Sequence, residues 1–195
     1  MKKITFSILF LFAIAIANAQ TFKPFKVDLS TGYAIPSGKG AKGGILFALE
    51  PKYAVMDALS VGLRLEGAVM ARGRSTDNAE EIEVDVKASA SYLATADYYF
   101  SNSTVRPFAG AGVGLFSLAG ASGDEDNVGV SGASSKFGGM LRAGAEIGHF
   151  RIGVEYNLVG NTDLKDATNQ TIGTAKNSYI GIKLGAVIGG GRIGN

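Results

Sequence analysis

The stretch Leu59–Met70, LSVGLRLEGAVM, sets Leu59, Val61, Leu63, Leu65 and Val69 on one parity and Ser60, Gly62, Arg64, Glu66 and Ala68 on the other. Successive side chains of a strand point to opposite faces, so the alternation predicts a β-strand with one aliphatic wall. The other wall carries glycine and charges of both signs. Alternation alone leaves the inside undecided: a soluble barrel hides its aliphatics, whereas a membrane barrel turns them to lipid.

The same alternation recurs along the chain. Phe25, Val27, Leu29, Thr31 and Tyr33 oppose Lys26, Asp28, Ser30 and Gly32, and Ile45, Phe47, Leu49, Tyr53 and Val55 oppose Glu50 and Lys52. Val86, Ala88, Ala90, Tyr92, Ala94, Ala96 and Tyr98 oppose Lys87, Ser89, Ser91, Thr95 and Asp97. In the segment Pro107–Leu118, alanines, Val113 and Leu115 alternate with Gly110, Gly112 and Gly114. Leu141, Ala143, Ala145 and Ile147 oppose Arg142, Gly144 and Glu146; Phe150, Ile152, Val154, Tyr156 and Leu158 oppose Arg151, Gly153, Glu155 and Asn157. The last segment opposes Ile180, Ile182, Leu184, Ala186 and Ile188 to Gly181, Lys183 and Gly185. About eight strands follow, each near the roughly 9 to 11 residues that a tilted strand needs to cross a bilayer. Pro51 sits awkwardly in the second, because it cannot donate to a ladder.

The first 20 residues, MKKITFSILFLFAIAIANAQ, have Lys2 and Lys3, an apolar run from Ile4 to Ile16, and the small-x-small sequence Ala17-Asn18-Ala19. This predicts a signal peptide over residues 1–19, cleaved after Ala19, and a barrel domain over 20–195 in an exported protein. Removing two lysines from 19 basic residues balances the 17 acidic ones, so the mature chain has no basic excess to suggest nucleic acid. With no cysteine, neither a disulfide framework nor a thiolate metal site is available. After the leader no apolar run reaches the roughly 20 residues of a spanning helix. Membrane crossing by this chain therefore requires strands, and strands cross lipid only as a closed barrel.

Connections and aromatics favour the membrane barrel. Long polar links follow the first, third, fifth and seventh strands (PSGKGAKGG, ARGRSTDNAEEIEV, AGASGDEDNVGVSGASSK and GNTDLKDATNQTIGTAKNS), and the other links are short. That rhythm is expected of an all-β, up-and-down antiparallel transmembrane barrel with long extracellular loops and short periplasmic turns. Phe25, Tyr53, Tyr98, Phe100 and Phe150 all fall on the aliphatic parity next to the N-terminus or a short turn, as an aromatic girdle at one interface requires. Tyr33, Phe137 and Tyr156 start a second girdle at the other end. The lipid face is then the aliphatic one. The lumen receives Lys26, Lys52, Arg64, Lys87, Arg142, Arg151 and Lys183, with Asp28, Glu50, Glu66, Asp85, Asp97, Glu146 and Glu155. An eight-stranded interior is just wide enough for side chains to fill. Isolated buried ions would cost several kcal/mol each, so these charges are expected to pair and plug the bore. The network is expected to centre on Arg64, Glu66, Lys87, Asp97, Arg142, Glu146, Arg151, Glu155 and Lys183, with pairing between neighbouring strands.

The stretches LEPKYAVMDALSVGLRLEGA, RPFAGAGVGLF and NSYIGIKLGAVIGGG resemble the small outer-membrane β-barrels of the porin-like group in Gram-negative bacteria, of the Bacteroidetes type. The resemblance spans most of the mature chain. It implies an OmpA/OmpX-like eight-stranded barrel in the bacterial outer membrane, with membrane lipid and the barrel-assembly machinery as partners. Many such barrels end on an aromatic residue that the machinery reads, whereas this chain ends GGGRIGN.

Catalytic signals are weak. His149, the only histidine, falls in a short turn on the periplasmic side, away from the outer leaflet where a serine–histidine lipid-modifying enzyme would need it. The GAGVG run at Gly110 has no following helix to make a phosphate loop, and GDEDN at Gly123–Asn127 lacks the spacing of a calcium loop. No catalytic residue, metal ligand or cofactor is assigned. The leading expectation is a non-enzymatic barrel with a structural, adhesive or surface-binding role. A passive small-solute channel is the alternative, and an outer-leaflet lipid enzyme the third. The extracellular ligand is not encoded in any motif.

The assignment of faces has a direct test in unfolding titrations. Arginine at Leu63 or Val154 should destabilise the protein by about 2 to 4 kcal/mol, whereas Ser122→Arg should be close to neutral. Equal stability of Leu63→Arg and Ser122→Arg would reverse the faces.

Overall fold

The computed structural model describes residues 23–37, 41–74, 83–124, 127–165 and 171–190; at 41–42, 71–74, 83–87, 119–124, 127–134, 162–165 and 171–175 it describes the backbone alone. The leader, Glu125 and Asp126 of the acidic run, and the tail 191–195 lie outside the described residues.

The alternating segments form antiparallel strands that run along the chain as β1 (Phe25–Pro36), β2 (Ala41–Met56), β3 (Leu59–Arg74), β4 (Glu83–Tyr99), β5 (Val105–Asp124), β6 (Asn127–Ile147) and β7 (Phe150–Val159). β8 (Thr162–Lys165), β9 (Thr171–Ala175) and β10 (Tyr179–Gly189) follow. Seven of them, β1 to β7, close into a barrel through β10, which pairs with both β7 and β1. The result is the expected eight-stranded up-and-down barrel, and closure leaves no edge within it.

Parity decides the faces as the lipid reading requires. Leu63 is 64% exposed, Val154 52%, and the adjacent Arg64 0%. The girdle residues Phe25, Tyr53, Tyr98, Phe100 and Phe150 are all exposed. They share one end: Phe25 lies opposite Tyr53, Tyr98 opposite Leu59, and the Tyr98 and Phe100 rings meet edge-on at 5.3 Å. The short turns lie at that end. Between β6 and β7 the chain reverses over Gly148 and His149, with Gly148 at φ 58°, a conformation that costs glycine little. His149 is held there, its Nδ1 2.9 Å from the carbonyl of Val187 and its own carbonyl accepting the Val187 amide at 2.7 Å.

The opposite end differs from the sequence expectation. The link after the fifth strand is largely strand, for the β5–β6 ladder continues to Asp124 opposite Asn127. Likewise β3 and β4 pair as far as Arg74 opposite Glu83. The reason is local: alternation persists through Val128 and Val130, and the register sets Arg72 opposite Asp85 and Arg74 opposite Glu83. Opposite charges across a strand pair stabilise it by about 0.2 to 1 kcal/mol. In the last long link, β8 and β9 form a separate hairpin. The β6–β7 ladder stops at Gly138 opposite Val159, and β10 meets β1 no further out than Tyr179 opposite Pro36. Strands β3 to β6 therefore rise past the rim as a wall. From Gly114, whose partner Gly138 is the last residue of β6 to meet β7, to Asp124 the ribbon is roughly 30 Å of strand at about 3.4 Å per residue, its base still lining the bore through Phe116.

Three irregularities mark β2: register shifts at Lys42–Gly44 and at Ala54–Met56, and a break at Pro51. At the register shift between Ala54 and Met56, Val55 is half-buried. At Pro51 the ladder to β3 breaks, lapsing after Leu49–Leu65 and resuming at Lys52–Gly62 in the same register. The Ala54 amide bonds to Pro24 on the β1 side, so three residues earlier the Pro51 nitrogen faces β3, where its missing N–H leaves the gap. In Pro51→Ala the new amide should close the ladder. Hydrogen exchange should then find residue 51 as protected as Leu49; rapid exchange at residue 51 would show that the strands part there for another reason.

Candidate functional site in the barrel lumen

The charged parity converges on the bore, where three layers of ionisable groups stack along the axis. Nearest the long-loop end, Arg64 donates to Glu66 and, at 2.5 Å, to Glu155, and its other Nη donates to Asn157 at 3.2 Å. Lys183 donates to Glu66 at 2.9 Å and Glu155 at 3.3 Å, and the Tyr179 hydroxyl donates to Glu66 at 2.6 Å. Two cations meet two carboxylates, and all four are nearly inaccessible.

The middle layer contains Asp28, Glu50, Lys52, Asp97, Arg142 and Arg151. Arg142 grips Glu50 through both Nη atoms at 2.7 and 2.6 Å and donates from Nε to Asp97 at 2.7 Å. Such forked arginine–carboxylate contacts are among the strongest charge-assisted bonds. Lys52 reaches Asp28, Glu50 and Asp97 at 3.2, 3.4 and 3.0 Å. Arg151 reaches Asp28 at 2.9 Å and Asp97 at 2.8 Å, its guanidinium stacked 3.6 Å from the Phe108 ring centre. Thr95 completes Glu50 with a 2.5 Å bond. Three cations meet three carboxylates. Gly110 makes room for this layer, since a Cβ there would collide with the Asp97 carboxylate and approach Arg142 Nε to 3.2 Å.

At the short-turn end Tyr99 organises the third layer. Its hydroxyl donates to Glu146 at 2.9 Å and accepts from Lys26 at 2.8 Å and Arg151 at 3.0 Å, which uses its one donor and both acceptor positions. Lys26 binds Glu146 directly at 2.7 Å, and Arg106 covers the Tyr99 ring at 4.2 Å.

The pairing crosses the bore more than it links neighbouring strands. Arg142 lies opposite Glu155 in register, yet it bonds to Glu50 and Asp97. Glu146 and Arg151, also opposite, are 3.6 Å apart, while Glu146 takes its shorter contact from Lys26 across the barrel. The bore is narrow enough that a long side chain reaches the far wall as easily as its neighbour. Lys87 stands opposite Met70 near the outer end, and its side chain lies outside the described residues.

A second departure concerns the filling. Charges and glycines do not make up the whole plug: Leu46, Met70, Leu93, Phe116, Met140 and Val159 also face inward and form one apolar cluster at the long-loop end with Ala34, Ala68 and Tyr179. These residues lie on the charged parity, where a large apolar residue between glycines was the available signal. Lys26, Asp28, Glu50 and Lys52 join the network as charged-parity residues, whereas Tyr99, Tyr179 and Asn157 enter it without any charge to mark them. Among the described residues no group of three or more His, Asp or Glu side chains is arranged to hold a metal ion.

A family model described as an outer membrane protein β-barrel domain matches residues 4–186. Comparison with curated protein sequences finds none that matches. Among solved structures, Neisserial surface protein A superposes with a TM-score of 0.54 at 17% identity, covering 86% of this chain and 98% of that one. Ail, the attachment invasion locus protein of Yersinia pestis, gives 0.43 at 16% identity, covering 86% and 99%. The outer membrane enzyme PagL gives 0.43 at 18%, covering 84% and 98%. At these identities the likeness speaks to fold alone.

Partner sharing predicts how mutations combine. Glu66→Ala leaves Arg64 and Lys183 to share Glu155 alone in a buried site and should cost about 3 kcal/mol. Glu66→Gln with Glu155→Gln, which share Arg64 and Lys183, should be non-additive by about 0.5 to 3 kcal/mol in unfolding titrations. Glu66→Gln with Asp97→Asn, which share no partner, should add to within about 0.5 kcal/mol.

Proposed function

The chain belongs to the outer membrane protein β-barrel domain family, and on that premise we propose a non-enzymatic surface protein: an anchor sealed by its own side chains that carries a wall of strands outward to bind at the cell exterior. Family membership implies the bacterial outer membrane. The observation that carries the reading is the unequal height of the strands, with β3 to β6 continuing past the rim while β7 and β10 stop there. A passive pore gains nothing from such an extension, whereas a binding surface gains reach and area.

The lumen supports the same reading. Two neutral layers, a third organised by Tyr99 and an apolar cap leave the bore filled by side chains, and large water-filled pores are built from around 16 strands. An outer-leaflet hydrolase would need histidine near the long-loop end. His149, the chain's only histidine, is held at the opposite end against Val187.

Two measurements test the proposal together. Purified wild-type protein in planar bilayers should show no stable conductance, and large ohmic openings would put the channel reading first. Replacing residues 119–134 with a short turn should leave a folded barrel that still migrates anomalously when unboiled. Cells displaying the trimmed barrel should lose adhesion to immobilised extracellular-matrix proteins that cells displaying the full chain retain. Equal adhesion by both would remove the wall from the function.

A further inference from the structure

The outer and middle charge layers share no hydrogen bond or ion pair. Arg64, Glu66, Glu155 and Lys183 pair with one another, and so do Asp28, Glu50, Lys52, Asp97, Arg142 and Arg151. Between the two lies a small cavity with about 20 Å³ of water-accessible space, lined by Asp28, Glu50, Arg142 and Arg151 of the middle layer and by Glu155 and Lys183 of the outer one.

We propose that this cavity is a binding site for a single water molecule, which accepts from Lys183 Nζ and donates to Asp28 Oδ1 and so joins the two layers. Size permits it, because a cavity needs about 10 to 15 Å³ to hold one water and this one offers about 20 Å³. Charge narrows the choice. The walls carry three cations and three carboxylates, so a bare ion of either sign would unbalance two layers that are already neutral, whereas a dipolar guest would not. Unused bonding capacity then fixes the orientation. Asp28 Oδ2 takes both Lys52 and Arg151, while Asp28 Oδ1 is fully buried with no partner. Lys183 has three ammonium protons and spends two, on Glu66 and Glu155. A residue with a donor to spare and one with an acceptor to spare thus line the same water-sized space. Gly185 keeps it open, for a Cβ there would stand 2.9 Å from Asp28 Oδ1 and 3.0 Å from the Ser30 Cβ.

The test is a high-resolution crystal structure of the mature wild-type protein, with parallel soaks in bromide and rubidium salts. The expected result is one spherical peak within hydrogen-bonding distance of both Lys183 Nζ and Asp28 Oδ1, with no anomalous signal in either soak. An empty cavity, an anomalous bromide or rubidium peak, or a direct Lys183–Asp28 bond would overturn the site. Solution NMR in micelles should show cross-relaxation between water and the Gly185 α-protons, and its absence would count equally against the proposal. If Gly185→Ala folds, its crystals should lose the peak; a peak that persists in place would assign the water elsewhere.

Discussion

Among the described residues thirteen charged side chains share a bore walled by eight strands, and each must find its counter-charge within a few ångströms. Leaving one partnerless would cost several kcal/mol, a large fraction of the roughly 5 to 15 kcal/mol by which a protein is stable. Local neutrality is therefore the constraint on which the interior depends. The chain meets it layer by layer, with two against two around Arg64 and three against three around Asp97. Arginine holds the central places because its planar fork binds two carboxylates at once, as Arg142 does with Glu50 and Asp97.

Neutral layers would be costly if they were open to lipid or wide enough to draw in water, and the rest of the structure prevents both. Outside, the aliphatic parity of every barrel strand separates the network from the hydrocarbon. At the long-loop end Leu46, Leu93, Phe116 and Met140 close the bore with apolar volume. At the other end Tyr99 stands with Phe108 and Arg106 across the mouth. The wall itself is thinned where the charges need space, as at Gly110. These features tie the plug to the barrel: the ionic layers require the dry interior, and the closed bore is what keeps them dry.

The same closure separates anchoring from whatever happens at the surface. The charges of the described lumen pair with one another, and what this chain adds to a plain barrel is the stretch beyond the rim. There β5 and β6 continue as a paired ladder to Asp124 and Asn127. A ladder of that length holds its tip at a fixed distance from the membrane in a way that a free loop of equal length would not.

The sequence by itself determined whatever depends on the two-residue period of a strand. The run of Leu59, Val61, Leu63 and Leu65 against Arg64 and Glu66 sufficed for the faces, the recurrence of that run for the strand number, and Phe25, Tyr53, Tyr98 and Phe150 for one interface. Pro51 marked the break in the β2–β3 ladder in advance. What the period cannot carry is which residues meet across the bore, because that depends on strand stagger and on closure through β10. Arg142 therefore bonds to Glu50 and Asp97 instead of the Glu155 opposite it. Tyr99 and Tyr179 were illegible for a related reason, and Asn157 legible only as a lumen-facing residue: a polar, uncharged side chain reads as neutral in an alternation, and only its surroundings make it a hub. Nor could composition separate loop from ladder in the long links, where glycine and serine suit both and the neighbouring strand decides. Pattern along a strand is local and was written in the chain; contact across a closed barrel is global, and only the tertiary structure settled it.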